Sequence, residues 1–499
     1  MPSLTLPLLT LAILIPLAAS LFARLGRRGA AGASLFSLAA SVAALIELSQ
    51  RGAGRLADPL TPLLAIDALG GLASVLYSVL VLGVLISAPK RDSQPCDLRD
   101  NLHLLAGSLA VYSADNLLVL FGGWVLTVLP MWRSTPGELA LRRVILGTST
   151  ICLAVSFALV YGAGTLSIHE LAGVHVSGDQ WLSFAMLMLA ILLRKGIFPF
   201  QFWFPVAAER GPLLKAVLFF NAHLGAFMVA RIAFPSMPGA SHEGLGPLFD
   251  LALLTAVITS LMAMVEQIPR RVLALLAVSH GSFILTGLET GTVEGFTGAM
   301  IYWIVVAIAT TVIFLVLRML EVRTTGGFLL DRFHGFGART PRFAAFFAVC
   351  ALALVGLPGT LGFWAEDLLL QGALSSHPQL GLMLPIATAI NAVTFLRAFA
   401  RLFLGQRAWR VPALSDAIPR ERWVLAAGVV IVVLWGLLPG SLAGFISSRI
   451  SHPAAIPEYN KPHAALIVDT PAVAVNFSAG ARPWRPTPAQ AQHHPHRRR

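Results

Sequence analysis

The feature that most constrains this chain is a series of long, uninterrupted apolar runs. A helix that crosses a bilayer needs about 20 consecutive apolar residues. About fourteen runs approach or exceed that length, at residues 4–24, 32–49, 69–88, 102–113, 115–132, 141–163, 180–200, 213–234, 247–266, 271–289, 295–318, 343–373, 380–404 and 423–447. Because the runs are continuous and do not alternate every second residue, they predict membrane-spanning helices and not the strands of a transmembrane β-barrel.

The composition excludes a water-soluble globule. Hydrophobic residues make up 56% of the 499 residues and charged residues 12%, whereas soluble domains carry roughly 25% charged residues. So high an apolar content also excludes a disordered chain. We therefore predict an all-α, multi-pass protein of the cell inner (plasma) membrane, with the lipid bilayer as its main surroundings.

The basic residues indicate which side of the membrane each loop faces. The odd-numbered loops between the runs carry most of them, including Arg24, Arg27, Arg28, Lys90, Arg91, Arg270, Arg271, Arg318 and Arg323. Cytoplasmic loops hold the excess of Lys and Arg, so both termini are predicted to lie outside. The net charge of +12 follows from these loops and the tail, and no nucleic-acid partner is predicted.

The first informative charge within an apolar run is Lys195. It lies in the stretch LLRKGIFPFQFWFP, four residues before Pro199. A proline ring clashes with the carbonyl four residues earlier and removes one helix hydrogen bond, so the helix is predicted to break beside the ammonium group. Burial disfavours the charged form of a lysine, which makes Lys195 a candidate proton carrier. The competing interpretation is that Arg194 and Lys195 extend to an interface.

A second interrupted run carries two carboxylates. The stretch ALVGLPGTLGFWAEDLLLQG contains Pro358, Gly359 and Gly362 as helix breakers, followed by Glu366 and Asp367. Adjacent helical residues point about 100° apart, so one carboxylate is expected to face a cavity while the other caps or pairs locally. Charged, broken helices in corresponding positions of two halves are typical of transporters, and the spacing predicts two inverted five-helix repeats with breaks in the seventh and twelfth helices.

Four segments resemble the antiporter-like membrane subunits of respiratory complex I, Mrp sodium/proton antiporters and membrane-bound hydrogenases. The segments occur in family order between about residues 65 and 405, and each alone is weak. They are residues 114–118 (ADNLL) with Gly123 and Trp124, Lys195 with Pro199 and Trp203, residues 270–274 (RRVLA) with Ser279, and Gly362-Phe363 with Glu366-Asp367.

The resemblance implies a function and a set of residues. In the family, a seventh-helix lysine and a twelfth-helix Lys or Glu relay protons, which assigns those roles to Lys195 and Glu366. Further relay candidates are Asp367, His223, Asn221 and His280, and further charges at a loop or helix start are Arg270, Arg271 and Asp115. The implied function is a proton-translocating subunit of a larger ion-motive complex, with no catalytic site of its own.

The chain also departs from the family pattern. The fifth-helix glutamate that pairs with the lysine is replaced by Val125, and the helix that usually carries His and Lys offers Tyr302, Trp303, Thr310 and Thr311. Two alternatives therefore remain open: the proton-conducting subunit of a DAB-type inorganic-carbon transporter, and a structural membrane anchor that conducts nothing.

The remaining predictions concern organisation and partners. Residues 1–65 form N-terminal transmembrane helices, 66–405 the antiporter-like core, 406–449 a C-terminal transmembrane helix, and 450–499 a disordered tail rich in Pro, Ala, His and Arg. No nucleotide, haem or metal motif is present, and Cys96, Cys152 and Cys350 are scattered. No cofactor or metal is predicted. The expected partners are other membrane or cytosolic subunits and protons, with Na⁺ or bicarbonate as open alternatives.

Overall fold

The structure is a computed structural model that describes residues 7–22, 26–52, 54–133, 139–162, 164–171, 180–324, 327–405 and 414–438, together with 440, 442 and 444–446. The tail predicted at 450–499 lies outside these residues. The described part falls within the unit Met1–Pro457 and is predominantly helical.

The helices of the first half follow the predicted apolar runs. They are α1 (Leu8–Leu21), α2 (Arg27–Arg51), α3 (Ala68–Ser87), α4 (Pro95–Tyr112), α5 (Leu117–Arg133), α6 (Leu139–Tyr161), α7 (Ile168–Leu171), α8 (Gln180–Lys195), α9 (Trp203–Arg210), α10 (Leu213–Asn221), α11 (Leu224–Met228) and α12 (Phe234–Ser236). Between α11 and α12 lies a π-helical turn, Val229–Ala233. Two two-residue strands, β1 (Leu56–Ala57) and β2 (Ala65–Ile66), pair antiparallel.

The helices of the second half are on average longer. They are α13 (Pro238–Val265), α14 (Pro269–Glu289), α15 (Val293–Arg323), α16 (Pro341–Leu354), α17 (Leu361–Ser376), α18 (Pro378–Gly381), α19 (Met383–Phe403) and α20 (Pro419–Leu437). Short 3-10 turns lie at Lys90–Asp92 and Phe336–Ala338.

Several boundaries differ from the sequence prediction. α4 begins at Pro95 and not at 102, because its first turns carry Asp97, Arg99 and Asp100, which lower the local hydropathy although the backbone is already helical. The run at 213–234 is not one helix, since the α-helix is interrupted at His223 and again by the π-helical turn. Hydropathy indicates only whether a segment lies in an apolar environment. It does not detect a change in backbone conformation within that segment.

Within the described residues, eight helical segments are long and apolar enough to cross a membrane. They are Arg27–Arg51, Ala68–Ser87, Leu141–Tyr161, Leu213–Ser236, Glu243–Val265, Pro269–Glu289, Val293–Arg323 and Pro378–Phe403. The apolar stretches of Leu213–Ser236, α14 and α15 are buried along their whole length, whereas the other long helices expose part of theirs. These three segments therefore form the centre of the bundle.

Candidate functional site

The first candidate site lies where α8 ends. α8 stops at Lys195, α9 begins at Trp203, and Pro199 lies in the non-helical segment between them. The indole nitrogen Nε1 of Trp203 donates a hydrogen bond to the Leu193 carbonyl over 3.0 Å. A side chain thus satisfies one of the carbonyls that a helix end leaves without an intrahelical partner.

Lys195 is enclosed by the protein and does not reach an interface. Its side chain is 3% exposed. The ammonium nitrogen Nζ lies 2.7 Å from Nδ1 of His223 and 4.1 Å from the centre of the Phe220 ring. A charged lysine has no acceptor, so it donates to Nδ1. The contact joins two groups that can exchange a proton directly.

His223 occupies the turn between α10 and α11 in a conformation unusual for its residue type. Its φ angle is +48°, in the left-handed region, which costs on the order of 1–3 kcal/mol for a residue with a side chain. The ring is completely buried, and in the described part of the chain its Nε2 atom makes no hydrogen bond. The interrupted helix therefore presents Nδ1 to Lys195 and leaves the second ring nitrogen available.

Asn221 lies close to this pair but has other partners. Its amide nitrogen Nδ2 donates to the hydroxyls of Thr310 and Thr311 over 2.8 and 2.9 Å. These contacts fasten the end of α10 to the central helix α15. Asn221 therefore holds the turn that carries His223, and no direct contact with Lys195 is seen.

Arg194 is a site residue whose importance the sequence analysis missed. It is buried to the same degree as Lys195, and its guanidinium donates to Thr127 Oγ1 over 2.7 Å. The group also lies 4.1 Å from the centre of the Trp124 ring. The signal was present in the sequence, because a second cation directly precedes Lys195 within one apolar run.

The second candidate site joins α14, α15 and α17. The Tyr302 hydroxyl lies 2.6 Å from Nδ1 of His280 and 3.1 Å from Oε1 of Glu366. It also lies 3.1 Å from the Leu354 carbonyl at the end of α16. Tyr302 thus connects two titratable groups that are 86 positions apart in sequence, a role that sequence reasoning did not assign to it.

The second helix break positions Glu366. α16 ends at Leu354 and α17 begins at Leu361, with Pro358 and Gly359 between them. Gly362 lies inside α17, and a Cβ atom there would come within 1.7 Å of the Ala353 carbonyl oxygen. Only a residue without a side chain allows the two halves of the broken helix to approach this closely.

The two neighbouring carboxylates have different surroundings. Glu366 is half-buried, and a Cβ atom on Gly356 would lie 2.5 Å from its Oε2 atom. Asp367 is exposed and accepts a hydrogen bond from Gln371 Nε2 over 2.8 Å. Only Glu366 therefore belongs to the cluster with His280 and Tyr302.

The two clusters are adjacent in the bundle. Gly281 follows His280 on α14, and a Cβ atom at this glycine would lie 3.4 Å from Lys195 Nζ. The ring centres of His223 and Trp303 are 6.0 Å apart, and Trp303 follows Tyr302 on α15. The central helices α14 and α15 thus bring a lysine, two histidines, a tyrosine and a glutamate into one region.

The other charged residues predicted for the site lie elsewhere. Arg270 and Arg271, in the first turn of α14, pair with Glu321 and Glu209, with shortest distances of 2.6 Å in each case. Asp115 lies in the α4–α5 turn and pairs with Arg55. These groups belong to ion pairs near helix ends and are not part of the central clusters.

Comparison with known proteins gives a family for this arrangement. The family described as "NADH:quinone oxidoreductase/Mrp antiporter, TM" matches residues 139–391. NADH-quinone oxidoreductase subunit N of Rhodococcus opacus is 28% identical over 359 residues, covering 68% of this chain and 66% of the relative. The same subunit of Paraburkholderia phymatum is 28% identical over 380 residues, covering 70% of this chain and 76% of the relative.

Solved structures have the same fold. A chain of respiratory complex I from Thermus thermophilus matches with a TM-score of 0.79 at 22% identity, covering 90% of this chain and 98% of that chain. A chain of the Mrp complex from Dietzia sp. DQ12-45-1b matches with a TM-score of 0.76 at 20% identity, covering 90% and 96%. None of the matches named here is an inorganic-carbon transporter, so they do not support that alternative.

Proposed function

Because this chain belongs to the NADH:quinone oxidoreductase/Mrp antiporter membrane family, we propose that it is a proton-translocating subunit of a multi-subunit ion-motive complex. The observation that carries the proposal is the set of groups beside two helix breaks that can exchange protons: the buried pair Lys195 and His223, and the buried His280 and Tyr302 with the half-buried Glu366. Ionisable groups inside a membrane protein are costly and are usually functional.

In the first cluster, a proton passes between Lys195 and His223. Lys195 in its charged form transfers a proton from Nζ to Nδ1 across 2.7 Å. The lysine becomes a neutral amine and the histidine an imidazolium, so the charge of the pair is conserved. His223 can then release the proton on Nε2, so that the ring passes the proton through to its other side.

In the second cluster, the Tyr302 hydroxyl serves as the bridge. It can accept a proton from one neighbour while it donates its own to the other, and His280 Nδ1 and Glu366 Oε1 both lie within hydrogen-bonding distance. A proton that moves between the two clusters crosses the gap between α14 and Lys195, at the place where Gly281 approaches the lysine. Water at this point would complete the connection, as it does for many buried polar groups.

The energy for transport comes from partners. The relatives and solved structures named above are subunits of NADH-quinone oxidoreductase and of complex I or Mrp assemblies. We therefore propose that other membrane or cytosolic subunits assemble with this chain. Protons are the transported ion that the lysine, histidine, tyrosine and glutamate of the two clusters favour, since all four can take part in proton exchange.

The finer architecture is also part of the proposal. We propose fourteen spans in the inner (plasma) membrane, both termini outside, and a translocation core at 66–405. α8 with α9, and α16 with α17, take equivalent places in two inverted five-helix repeats. Each of these two pairs has a non-helical segment containing a proline at the predicted break.

The test compares Lys195 and Glu366, the two residues proposed to carry protons, with Asp367, the exposed neighbour of Glu366. Lys195→Ala and Glu366→Gln should each lower proton flux by at least about 100-fold, the usual effect of losing a group that transfers a proton. Lys195→Arg should fail as well, because arginine stays protonated. Asp367→Asn is the matched control, since this exposed carboxylate adjoins Glu366 and should be nearly silent.

Flux should be measured in membrane vesicles that hold the whole complex, with the amount of each variant determined by immunoblot. Loss of flux at normal protein levels supports proton transport through the two clusters. Full flux in both Lys195→Ala and Glu366→Gln would favour the alternative of a non-conducting membrane anchor, which the replacement of the family glutamate by Val125 also favours.

A further inference from the structure

Two cationic side chains follow one another at the end of α8, and both are buried. Arg194 and Lys195 are each 3% exposed. Within the described residues neither cation forms an ion pair with a carboxylate: Arg194 bonds the Thr127 hydroxyl, and Lys195 contacts the His223 ring. Adjacent buried cations without a counter-charge are costly in a membrane interior, so some other feature of the structure must make them tolerable.

The guanidinium of Arg194 is held by aromatic rings and a hydroxyl. It lies 4.1 Å from the centre of the Trp124 ring and 4.2 Å from that of Phe219. It donates a hydrogen bond to Thr127 Oγ1 over 2.7 Å. Aromatic faces attract cations most strongly when water is excluded, so this cage stabilises the charge without neutralising it.

The two cations differ in whether they can lose a proton. An arginine keeps its proton at any cellular pH, whereas a buried lysine can lose its proton. Like charges repel more strongly in a protein interior than in water. The repulsion is relieved when the proton of Lys195 leaves the pair, first by transfer to Nδ1 of His223 over 2.7 Å and then by release from Nε2 of the same ring.

In the part of the chain that the structure describes, the other groups next to the pair supply no compensating charge. The α10–α11 turn contributes His223, and α14 contributes His280, the neighbour of the glycine that approaches Lys195. α3 and α4 contribute the Tyr77 and Tyr112 hydroxyls, which lie near Arg194 and donate to backbone carbonyls of the α10 segment. None of these side chains carries a permanent charge, whereas arginine stays protonated, so Arg194 is the permanent charge among them.

We propose that Arg194 is a fixed positive charge that drives Lys195 to release its proton to Nδ1 of His223. Arg194 does not take part in the transfer and is a positioning residue for that proton. The proposal rests on the proton transport proposed above. It adds that Arg194 sets the direction of the first transfer, from Lys195 to His223.

The test neutralises Arg194 without removing it. Thr127→Asp places a carboxylate against the guanidinium, while Thr127→Asn keeps a similar shape without the charge. In the aspartate variant Lys195 should hold its proton more firmly, so the pH profile of flux should move about one unit towards alkaline pH, which corresponds to about tenfold lower flux on its acidic side. The asparagine variant should keep the parental profile.

A second variant keeps the test valid if Thr127→Asp fails to fold. Arg194→Met removes the charge but keeps an apolar side chain between the two rings, and it should move the profile in the same direction. Both variants should be studied in the full complex, with assembly checked by co-purification of the partner subunits. If Arg194 has only a structural role, the amount of assembled complex will fall while the pH profile of the remainder stays unchanged.

The outcomes separate this proposal from the proposed function. An unchanged profile in assembled Thr127→Asp or Arg194→Met complexes would overturn the role of Arg194, provided that Lys195→Ala is inactive. Full flux in Lys195→Ala would instead contradict proton transport through Lys195 itself. An alkaline shift in Thr127→Asp that is absent from Thr127→Asn would support both proposals.

Discussion

Replacing Tyr302 by phenylalanine should interrupt the second cluster while preserving its packing. The ring of Tyr302 is completely buried on α15, and phenylalanine retains that ring. The only group lost is the hydroxyl that lies between Nδ1 of His280 and Oε1 of Glu366. Because these two groups make no direct contact with each other in the structure, proton transfer between them should fail.

The size of the effect follows from the contacts of the hydroxyl. Its removal takes a partner from His280, from the Leu354 carbonyl and from Glu366. Glu366 is half-buried and can be hydrated, so the main stability cost arises at the buried His280 ring, at about 1–3 kcal/mol. The loss of a positioned proton-transfer group should lower flux by about 100-fold or more, which is the larger effect.

The assay is proton flux in vesicles containing the whole complex, with a melting curve of the purified complex measured in parallel. Tyr77→Phe is the matched control. Its hydroxyl is equally buried but donates to a backbone carbonyl, that of Leu218, over 3.2 Å, and is not part of the second cluster. Tyr302→Phe should lose flux and Tyr77→Phe should retain it. Equal flux in the two variants would refute the bridging role of Tyr302.

Two further predictions test features outside the central clusters. Lys215 and Asp100 form a buried ion pair at 2.7 Å, so Lys215→Met should lower the free energy of unfolding by about 3 kcal/mol, and the double variant with Asp100→Leu should recover much of this loss. Thermal melting in detergent measures both, and additive losses would contradict the pairing. For topology, Gly327→Cys in a background without Cys96 should resist an impermeant thiol reagent in intact cells, whereas Leu60→Cys should react. The reverse labelling would invert the proposed orientation.

The sequence alone determined the class of the protein and singled out the residues that we propose carry its chemistry. Apolar runs reveal membrane helices because lipid requires each segment to satisfy its own backbone hydrogen bonds. Lys195 and Glu366 stand out for a similarly local reason, since an ionisable residue inside such a run is costly wherever the chain folds. The prolines that accompany them mark interruptions of the helix through the geometry of their own rings.

Only the tertiary structure decided which groups face one another. Lys195 contacts His223 because the chain leaves the α-helical conformation at residue 223. The apolar run at 213–234 contains no sequence signal that predicts this turn. Tyr302 sits in an apolar stretch of α15, yet it joins α14 to α17. Arg194 is stabilised by rings from α5 and α10. Such contacts arise from the packing of helices that are distant in sequence. The sequence pattern indicates only that each helix lies in an apolar environment, and not which helix it packs against.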